Sequence, residues 1–306
     1  MKVAVLTGGV GGAKFVDGLA RCGLVSQLTA IVNTGDDFRH LGLAISPDID
    51  TLLYTLAGKA NRTLGWGRED ESWAFMAALK ELGGPDWFNL GDGDLAKHVL
   101  RSDRLAHGDR LSAITADFAA AWGIEATILP MSDDPVATWI DTVEGPLPFQ
   151  NYFVQQRCVP VARAIRFEGA SDAKPAPHVL DAIADADAIF IAPSNPYLSV
   201  DPILAITAIT SALRAAAVPV ITISPIVDGA AVKGPTTKLM TELGIAISND
   251  SIALHYHRIA DAMVYDGRDA APASLPGIAT NTLMHDDADR QRVAIAAIHL
   301  AKQMKR

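Results

Sequence analysis

Cysteine is nearly absent from this chain, since Cys22 and Cys158 are the only two among 306 residues. Two cysteines so far apart exclude a disulfide framework and a cysteine-rich metal knuckle. Long apolar runs are missing as well: no stretch of 18 residues is free of charged side chains, which excludes a transmembrane helix. The opening run Met1–Leu6 is typical of a β-strand rather than of a signal peptide. We therefore expect a cytoplasmic protein that has no membrane partner.

Runs of lysine and arginine are also missing. The 26 basic residues are outnumbered by 35 acidic ones, and the formal net charge is −9. A nucleic-acid binder needs a basic surface, so this class of partner is excluded. An acidic protein that handles phosphorylated ligands must recruit a cation or gather a few basic side chains at its site.

Short apolar runs alternate with longer amphipathic stretches, which is the pattern of a parallel sheet covered by helices. Several runs are rich in valine and isoleucine without polar alternation, as in strands buried on both faces. We predict an α/β fold of three layers, Rossmann-like, with a mostly parallel sheet. The predicted strands are Lys2–Leu6, Leu28–Val32, Ala126–Leu129, Ala188–Ala192, Val218–Ser224, Gly244–Ile247 and Ala262–Tyr265. The predicted helices run from Pro47 to Gly58, from about Pro202 to about Ala216 with Asp201 as cap, and over Asp287–Met304.

The stretch 61–123 has a different character. It holds four of the five tryptophans and shows helical patterns with no buried-strand run. We predict a mostly helical insert at 61–123 that covers the site. Residues 1–60 and 124–306 are then the core that binds nucleotide and substrate.

A glycine-rich turn follows the first predicted strand, with Gly8, Gly9, Gly11 and Gly12 leading to Lys14. Glycines let a backbone approach a ligand closely, and the free amides of a helix start attract anions. The spacing matches neither a P-loop nor the dinucleotide fingerprint. A nicotinamide oxidoreductase is disfavoured for that reason. We predict contact with an anion or nucleotide, the alternative being a tight turn without a ligand.

Four carboxylates lie after the second predicted strand: Asp36, Asp37, Asp48 and Asp50. Acidic loops are often only turns and helix caps. Yet hard oxygen ligands of this kind suit Mg²⁺, which commonly bridges protein carboxylates and substrate phosphates. We predict that at least one of these acids binds a metal or the substrate.

Further polar groups stand at or near predicted strand ends. Each alone reads as a turn, a cap or a solvated helix, but several on one edge of a sheet favour a shared pocket. No nucleophile elbow or activated cysteine is present. The candidate ligand contacts are Asn89, Asp92, His98, Arg101, Met131, Ser132, Asp133, Ser194, Asn195, Ser224 and Pro225.

Eight ordered strings together resemble the family of 2-phospho-L-lactate transferases that build the deazaflavin coenzyme F-420. These are Gly8–Lys14, Val32–Asp37, Ser46–Tyr54, Leu90–Arg101, Met131–Val136, Pro193–Pro196, Ser224–Ile226 and Gly234–Met240. The resemblance implies a Mg²⁺-dependent homodimer. Its partners would be a guanylylated phospho-acid donor and the deazaflavin acceptor FO (7,8-didemethyl-8-hydroxy-5-deazariboflavin), with GMP as the leaving group.

The resemblance also assigns roles to particular residues. Asp50 matches a position that contacts the deazaflavin, and we predict that it orients or deprotonates the ribityl hydroxyl; Asp36 is the second candidate catalytic residue. Asn89 stands where the family leads us to expect a base, while Gly93 and Lys97 replace an expected Arg and Thr. Phospholactate, phosphoenolpyruvate and 3-phosphoglycerate all stay open as the transferred acid. The rival interpretation is a regulatory factor that binds UDP-sugars without catalysis.

Overall fold

A computed structural model describes residues 1–61, 66–232 and 234–304. Its central sheet has seven strands in the order β14-β13-β10-β9-β1-β2-β5, and all neighbouring pairs are parallel. The strands are β1 (Lys2–Thr7), β2 (Gln27–Val32), β3 (Phe38–His40), β4 (Leu43–Ile45), β5 (Thr127–Pro130), β6 (Ala137–Thr142), β7 (Gly145–Pro148), β8 (Ala162–Glu168), β9 (Ala188–Ile191), β10 (Val220–Ile223), β11 (Ile226–Val227), β12 (Ala230–Ala231), β13 (Ala262–Asp266) and β14 (Gly277–Thr280). The strands outside the central sheet form the pairs β3-β4 and β11-β12 and the three-stranded sheet β7-β6-β8.

The helices in the described residues are α1 (Gly9–Arg21), α2 (Pro47–Leu56), α3 (Ala74–Glu81), α4 (Asp92–Ala106), α5 (Leu111–Ala121), α6 (Val179–Ala184), α7 (Asp201–Ala205), α8 (Thr207–Ala215), α9 (Thr236–Glu242), α10 (Asn249–Tyr256) and α11 (Asp287–Gln303). Short π-helical turns lie at Asn151–Gln155 and Pro196–Val200.

Both faces of the sheet are covered. On one face, Phe190 of β9 packs with Phe15 of α1 and Ile298 of α11. On the other, Ile189 and Ile191 of the same strand pack with residues of α8 and α10. All four residues of β9 are buried, as expected for a strand covered on two sides. The predicted three-layer α/β fold is confirmed.

Three details of the predicted elements are wrong. The apolar run 244–247 is not a strand, because Gly244 (φ +70°) ends α9 and the amide of Ile245 donates to the carbonyl of Met240. The helix predicted from Pro202 to Ala216 is two helices bent by 90°, since Ile206 has extended backbone (ψ 104°) between them. Asp201 is the first residue of α7 rather than its cap.

The predicted insert holds helices α3, α4 and α5 in its described part, and positions 62–65 lie outside the described residues. Helix α5 packs against β5 and contributes Ala119 to the core that also contains Phe190. The boundaries at 61 and 123 therefore stay a prediction.

Within the described ranges, we find no single helix that is both long and apolar enough to cross a membrane. The bent pair Pro196–Ala205 and Thr207–Ala215 meets the length and composition test only when its two parts are taken together.

Phe190 is the central side chain of the α1–α11 face. It is fully buried, and its ring meets that of Phe15 edge to face at 5.8 Å between centroids. We expect Phe190→Ala to lower the free energy of unfolding by about 3–5 kcal/mol, because it leaves a cavity that the neighbours only partly fill. Urea titration would measure this. Leu82→Ala is the control, since Leu82 is 86% exposed; an equal loss in both variants would contradict the placement of Phe190.

Candidate active site

The predicted polar loops meet at one edge of the sheet. The glycine turn follows β1, Asn33–Asp37 follows β2, Met131–Asp133 follows β5, Ser194 follows β9 and Ser224 follows β10. Because these five strands are parallel neighbours in one sheet, their carboxyl ends share one side, where open α/β sheets bind ligands. The expectation of a shared edge is confirmed.

The glycine turn is packed tightly by the chain itself. A Cβ on Gly8 would lie 2.4 Å from Asp48 Oδ2, one on Gly11 2.6 Å from the carbonyl oxygen of Pro193, and one on Gly12 2.2 Å from Thr7 Oγ1. The missing Cβ at these three glycines therefore leaves room for neighbouring groups of the protein itself. Gly9 differs, with a φ of +64° and no group nearer than 3.9 Å to an added Cβ.

Asp48 ties the turn to the acidic loop. Its Oδ1 accepts a hydrogen bond from the amide of Gly9 (2.7 Å), and its Oδ2 accepts one from Asn33 Nδ2 (2.9 Å). Burial raises the pKa of Asp48 to about 6, although both hydrogen bonds oppose the shift. Ser194 closes the other side of the turn: its Oγ accepts from the amide of Gly8 and donates to the Gly8 carbonyl.

Asp36 is buried close to Asp48, and Asp37 beside it is half-buried. Burial raises the pKa of Asp36 well above its usual range, and the charge of Asp48 raises it further. Burial likewise raises the pKa of Asp37, against the hydrogen bond that Ser46 Oγ donates to it. Oδ1 of both residues is buried without a hydrogen-bond partner among the described residues. Unpartnered buried carboxylate oxygens are a donor set that fits a hard divalent cation.

Asp50 belongs to a different group of charges. Arg101 donates to both of its oxygens, through Nη1 to Oδ2 at 3.1 Å and through Nη2 to Oδ1. Lys97 Nζ lies 2.9 Å from Oδ1. Burial by itself would raise the pKa of Asp50, but the charges of Arg101 and Lys97 outweigh it and hold the pKa below its usual value.

These contacts disfavour two of the roles predicted for Asp50, which stay predictions. A carboxylate whose pKa is lowered is a poor proton acceptor, so it does not suit deprotonation of a hydroxyl. It is also a poor metal ligand, because both oxygens are already paired with cations. Ligand atoms of Asp50, Asp94 and His98 do lie within 4.8 Å of one another, but the ammonium of Lys97 stands 2.9 Å from Asp50 and 3.0 Å from Asp94. A second cation there would be repelled.

Helix α4 supplies the rest of this charged cluster. Asp94, Lys97, His98 and Arg101 stand at helical spacing, so their side chains share one face. Asp94 pairs with Lys97 and lies 3.0 Å from His98 Nε2. It also accepts a hydrogen bond from the hydroxyl of Tyr54, to which Lys97 Nζ donates at 2.6 Å. From the sequence, His98 and Arg101 were predicted as candidate contacts, but Asp94 and Tyr54 were missed. Helical spacing from His98 would have indicated Asp94, and the i+4 position from Asp50 would have indicated Tyr54.

Asn89 lies apart from the acids, in a small cleft. The cleft is lined by Trp66, Gly67, Arg68, Glu71, Trp73, Asn89, Gly91 and Asp94. Asp94 is thus shared between the cleft and the charged cluster. Asp92, predicted as a ligand contact, instead accepts hydrogen bonds from the amides of Ala74 and Phe75 and from Ser72 Oγ; it holds the start of α3.

Several other predicted contacts are engaged within the chain. Ser132 Oγ donates to the carbonyl of Lys174, and Asp133 accepts from the amide and hydroxyl of Ser112. Ser224 Oγ donates to Asn249 Oδ1, next to Pro225, and Lys14 Nζ donates to the carbonyl of Met284 at 2.6 Å.

Met131 and Asn195 complete the predicted set. Met131 is fully buried. Asn195 Oδ1 accepts from the amides of Tyr197 and Leu198, while its Nδ2 is buried without a partner in the described part of the chain. The position of these loops on the edge is as expected, but most of their side chains serve the fold.

The pairing of Asp50 with Arg101 can be tested by removing one partner. Arg101→Met leaves a buried carboxylate with Lys97 alone, so we expect the free energy of unfolding to fall by about 3–5 kcal/mol. Arg104→Met is the matched control on the same helix, because Arg104 pairs with Asp109 and Asp117 at the surface, where solvent screens the charges. Urea unfolding of both variants would measure the difference, and similar losses would refute the buried pair.

Comparison with known proteins adds independent evidence. The model of the family described as 2-phospho-L-lactate transferase CofD matches residues 3–303. The chain is 41% identical to the phosphoenolpyruvate transferase of Kitasatospora aureofaciens, over 100% of this chain and 99% of that protein. It is 38% identical to the 2-phospho-L-lactate transferase of Methanosarcina mazei, over 87% and 88% of the two chains.

Among solved structures, a member of the UPF0052 family from Bacillus halodurans aligns with a TM-score of 0.63, covering 97% of this chain and 98% of that one at 17% identity. This likeness concerns the fold alone. The family match and the relatives support transfer of a phospholactyl-type group in the biosynthesis of coenzyme F-420 and give no support to a non-catalytic UDP-sugar-binding factor. The chain belongs to the 2-phospho-L-lactate transferase CofD family.

Proposed function

We propose that this enzyme transfers a phospho-acid from a GDP-linked donor to the terminal ribityl hydroxyl of FO and releases GMP. The hydroxyl oxygen attacks the phosphorus of the phospho-acid, the bond from that phosphorus to the GMP oxygen breaks, and the hydroxyl proton passes to water. The observation that carries the proposal is the position of three neighbouring carboxylates at one edge of the sheet, one of which, Asp48, accepts from the glycine turn, with a cation-rich cluster and an aromatic cleft close by.

Asp36, Asp37 and Asp48 are the residues that would hold Mg²⁺. Asp36 and Asp37 each have one buried oxygen without a hydrogen-bond partner among the described residues, and the charge of Asp48 raises the pKa of both, so a cation there would relieve repulsion. When bound, the ion would supply positive charge to the donor phosphates and to the leaving GMP oxygen. Phosphoryl transfer depends on such positioning and charge stabilisation more than on a protein nucleophile. Asp36 keeps its candidate catalytic role through this group.

Asp50 keeps a role in orientation. Arg101 and Lys97 fix its carboxylate and keep it ionised, so it can accept a hydrogen bond from the ribityl hydroxyl without taking the proton. Lys97 and Arg101 also bring positive charge close to the acidic group, which suits a polyanionic donor in an acidic protein.

Phosphoenolpyruvate is the transferred acid that we favour. Four full-length or nearly full-length relatives that share 39–41% identity carry the name phosphoenolpyruvate transferase. The homodimer and the cytoplasmic location expected from the sequence stay predictions.

The reaction is tested directly with purified protein, FO, Mg²⁺ and guanylylated phosphoenolpyruvate, phospholactate or 3-phosphoglycerate in parallel. Mass spectrometry should show FO gaining the phospho-acid mass together with equimolar GMP, fastest with the phosphoenolpyruvyl donor. Faster turnover of another donor would replace the preferred acid. Absence of product with all three, together with a higher Tm in UDP-sugars, would overturn the transferase.

The metal site is tested by stability rather than turnover. Mg²⁺ at ten times its Kd should raise the free energy of unfolding by about 1.4 kcal/mol, and Asp36→Asn should lose most of this gain. Asp181→Asn is the control, because Asp181 is an acid with a 76% exposed side chain far along the sequence from the acidic loop. An unchanged Mg²⁺ response in Asp36→Asn would exclude Asp36 as a ligand.

We also expect the stability of Asp36→Asn to depend on pH differently from that of the native protein when both are measured in EDTA. Because burial raises the folded-state pKa of Asp36 above its ordinary 3.8, the folded protein binds more protons and loses stability as the pH rises through that window. Asp36→Asn removes this loss. We therefore expect the stability of the variant relative to the native protein to increase as the pH rises from about 4 to 8. Thermal melts across this range would measure the gap in Tm between the two proteins. A gap that narrows with rising pH would contradict the raised pKa.

A further inference from the structure

Two tryptophans stand exposed at the cleft beside α4. Trp66 is 50% exposed and Trp73 is 40% exposed, and both line the cleft. Large aromatic side chains contribute most when covered, and indole rings stack well on planar ligands. Their exposure on one cleft therefore points to a planar aromatic ligand.

Gly93 leaves a notch in α4 that a guanidinium fills. A Cβ on Gly93 would lie 1.5 Å from Arg68 Nη1 and 2.7 Å from Arg68 Cζ. Gly93 has no left-handed backbone angle, so its conformation does not require glycine. What requires glycine is the seat of the Arg68 side chain.

Glu71 holds Arg68 without saturating it. Glu71 is buried, with a side chain 5% exposed, and its Oε2 accepts from the amide of Gly93 at 2.6 Å. Arg68 Nη1 donates to Glu71 Oε1 at 3.4 Å, near the limit of a hydrogen bond, and the Arg68 side chain is 31% exposed. A guanidinium has five N–H donors in a planar fork. Most of them remain available to a ligand in the cleft.

The cleft borders the charged cluster at Asp94. Asp94 lines the cleft and lies 3.0 Å from Lys97 Nζ, which in turn lies 2.9 Å from Asp50. A molecule whose ring lies against the cleft would therefore carry its side chain close to the charged cluster. FO has this form, with a planar tricycle that carries carbonyl and phenol oxygens and a ribityl chain that carries the reacting hydroxyl.

We propose that Arg68, seated in the notch at Gly93, is the specificity-determining residue for the acceptor: its guanidinium donates hydrogen bonds to the ring oxygens of the deazaflavin while the tryptophans stack on the ring. The proposal rests on the proposed function, because it assumes FO as the acceptor. The ring oxygens are acceptors, so an arginine fork recognises them where a neutral or apolar side chain would not. Arg68 also provides a base in the cleft where Asn89 has none.

The test uses two variants that remove the guanidinium in different ways. Arg68→Ala deletes it, whereas Gly93→Ala retains it and displaces it from the notch while favouring the helix. Arg110→Ala is the matched control, since Arg110 is exposed and does not line the cleft. The readouts are titration with FO alone, followed by its fluorescence, and a separate titration with GDP.

We expect Arg68→Ala and Gly93→Ala to raise the Kd for FO about tenfold to a hundredfold, as for loss of hydrogen bonds from a charged group. Binding of GDP should not change in either variant, and Arg110→Ala should bind both ligands like the native protein. If the native protein binds FO and both variants bind it equally well, Arg68 is only the counter-ion of Glu71 and the proposal falls. If Arg68→Ala alone weakens binding, the notch is not what seats the guanidinium, which also overturns it. If the native protein does not bind FO at all, the proposed acceptor fails first and this inference fails with it.

Discussion

The carboxylate of Asp48 is the contact on which the arrangement of the site depends. It lies at the start of α2, accepts from the amide at the start of α1 and accepts from Asn33 at the end of β2. Three elements are therefore joined by one buried side chain. The glycines of the turn allow this approach, because a Cβ on Gly8 would collide with the same carboxylate. Asn33 extends the link, since its Oδ1 accepts from the amide of Gly35 and so shapes the loop that carries Asp36 and Asp37.

Two neighbouring groups of acids have opposite electrostatic surroundings. Asp36, Asp37 and Asp48 lie close to one another, and burial raises their pKa values. Asp50 lies two residues further along α2 than Asp48, yet the positive charges of Arg101 and Lys97 keep its carboxylate ionised. Residues two apart on a helix face different directions, so α2 presents Asp48 to the glycine turn and Asp50 to α4. This division separates a group suited to a cation from one suited to orienting a hydroxyl.

The cleft joins these groups to the helical part of the chain. Loop 66–73 and the start of α4 are held together by Glu71, which meets both Arg68 and the amide of Gly93. Asp92 fixes the start of α3 from the same turn of α4. Gly93 in the first turn of α4 and the buried side chain of Glu71 thus position Arg68. This arginine does not belong to any of the polar loops that follow the strands of the central sheet.

How far the sequence foretells the site differs between its parts. The positions of β1, β2, β5, β9 and β10 along the chain, and the shared edge at their carboxyl ends, could be predicted from apolar periodicity and from the polar loops that follow the strands. These signals are local. The sequence left open whether Asp92 and Asp133 cap helices or contact a ligand, since a capping acid and a ligand-binding acid look alike until the amides they accept from are known. The strand expected at 244–247 was wrong for a similar reason. A run of four residues that begins with a glycine fits a short strand as well as the turn that follows a helix.

The sequence by itself determined the α/β class, the family and the edge of the sheet at which the candidate site lies, because periodicity, turn residues and ordered motifs lie within short stretches of chain. Only the tertiary structure decided which acids are paired. Asp50 and Arg101 are 51 residues apart, and their ion pair forms because the fold brings these side chains of α2 and α4 together. The seat of Arg68 beside Gly93 is likewise a matter of packing. Charge pairing in a buried site depends on distances through space, and no spacing along the chain reports them.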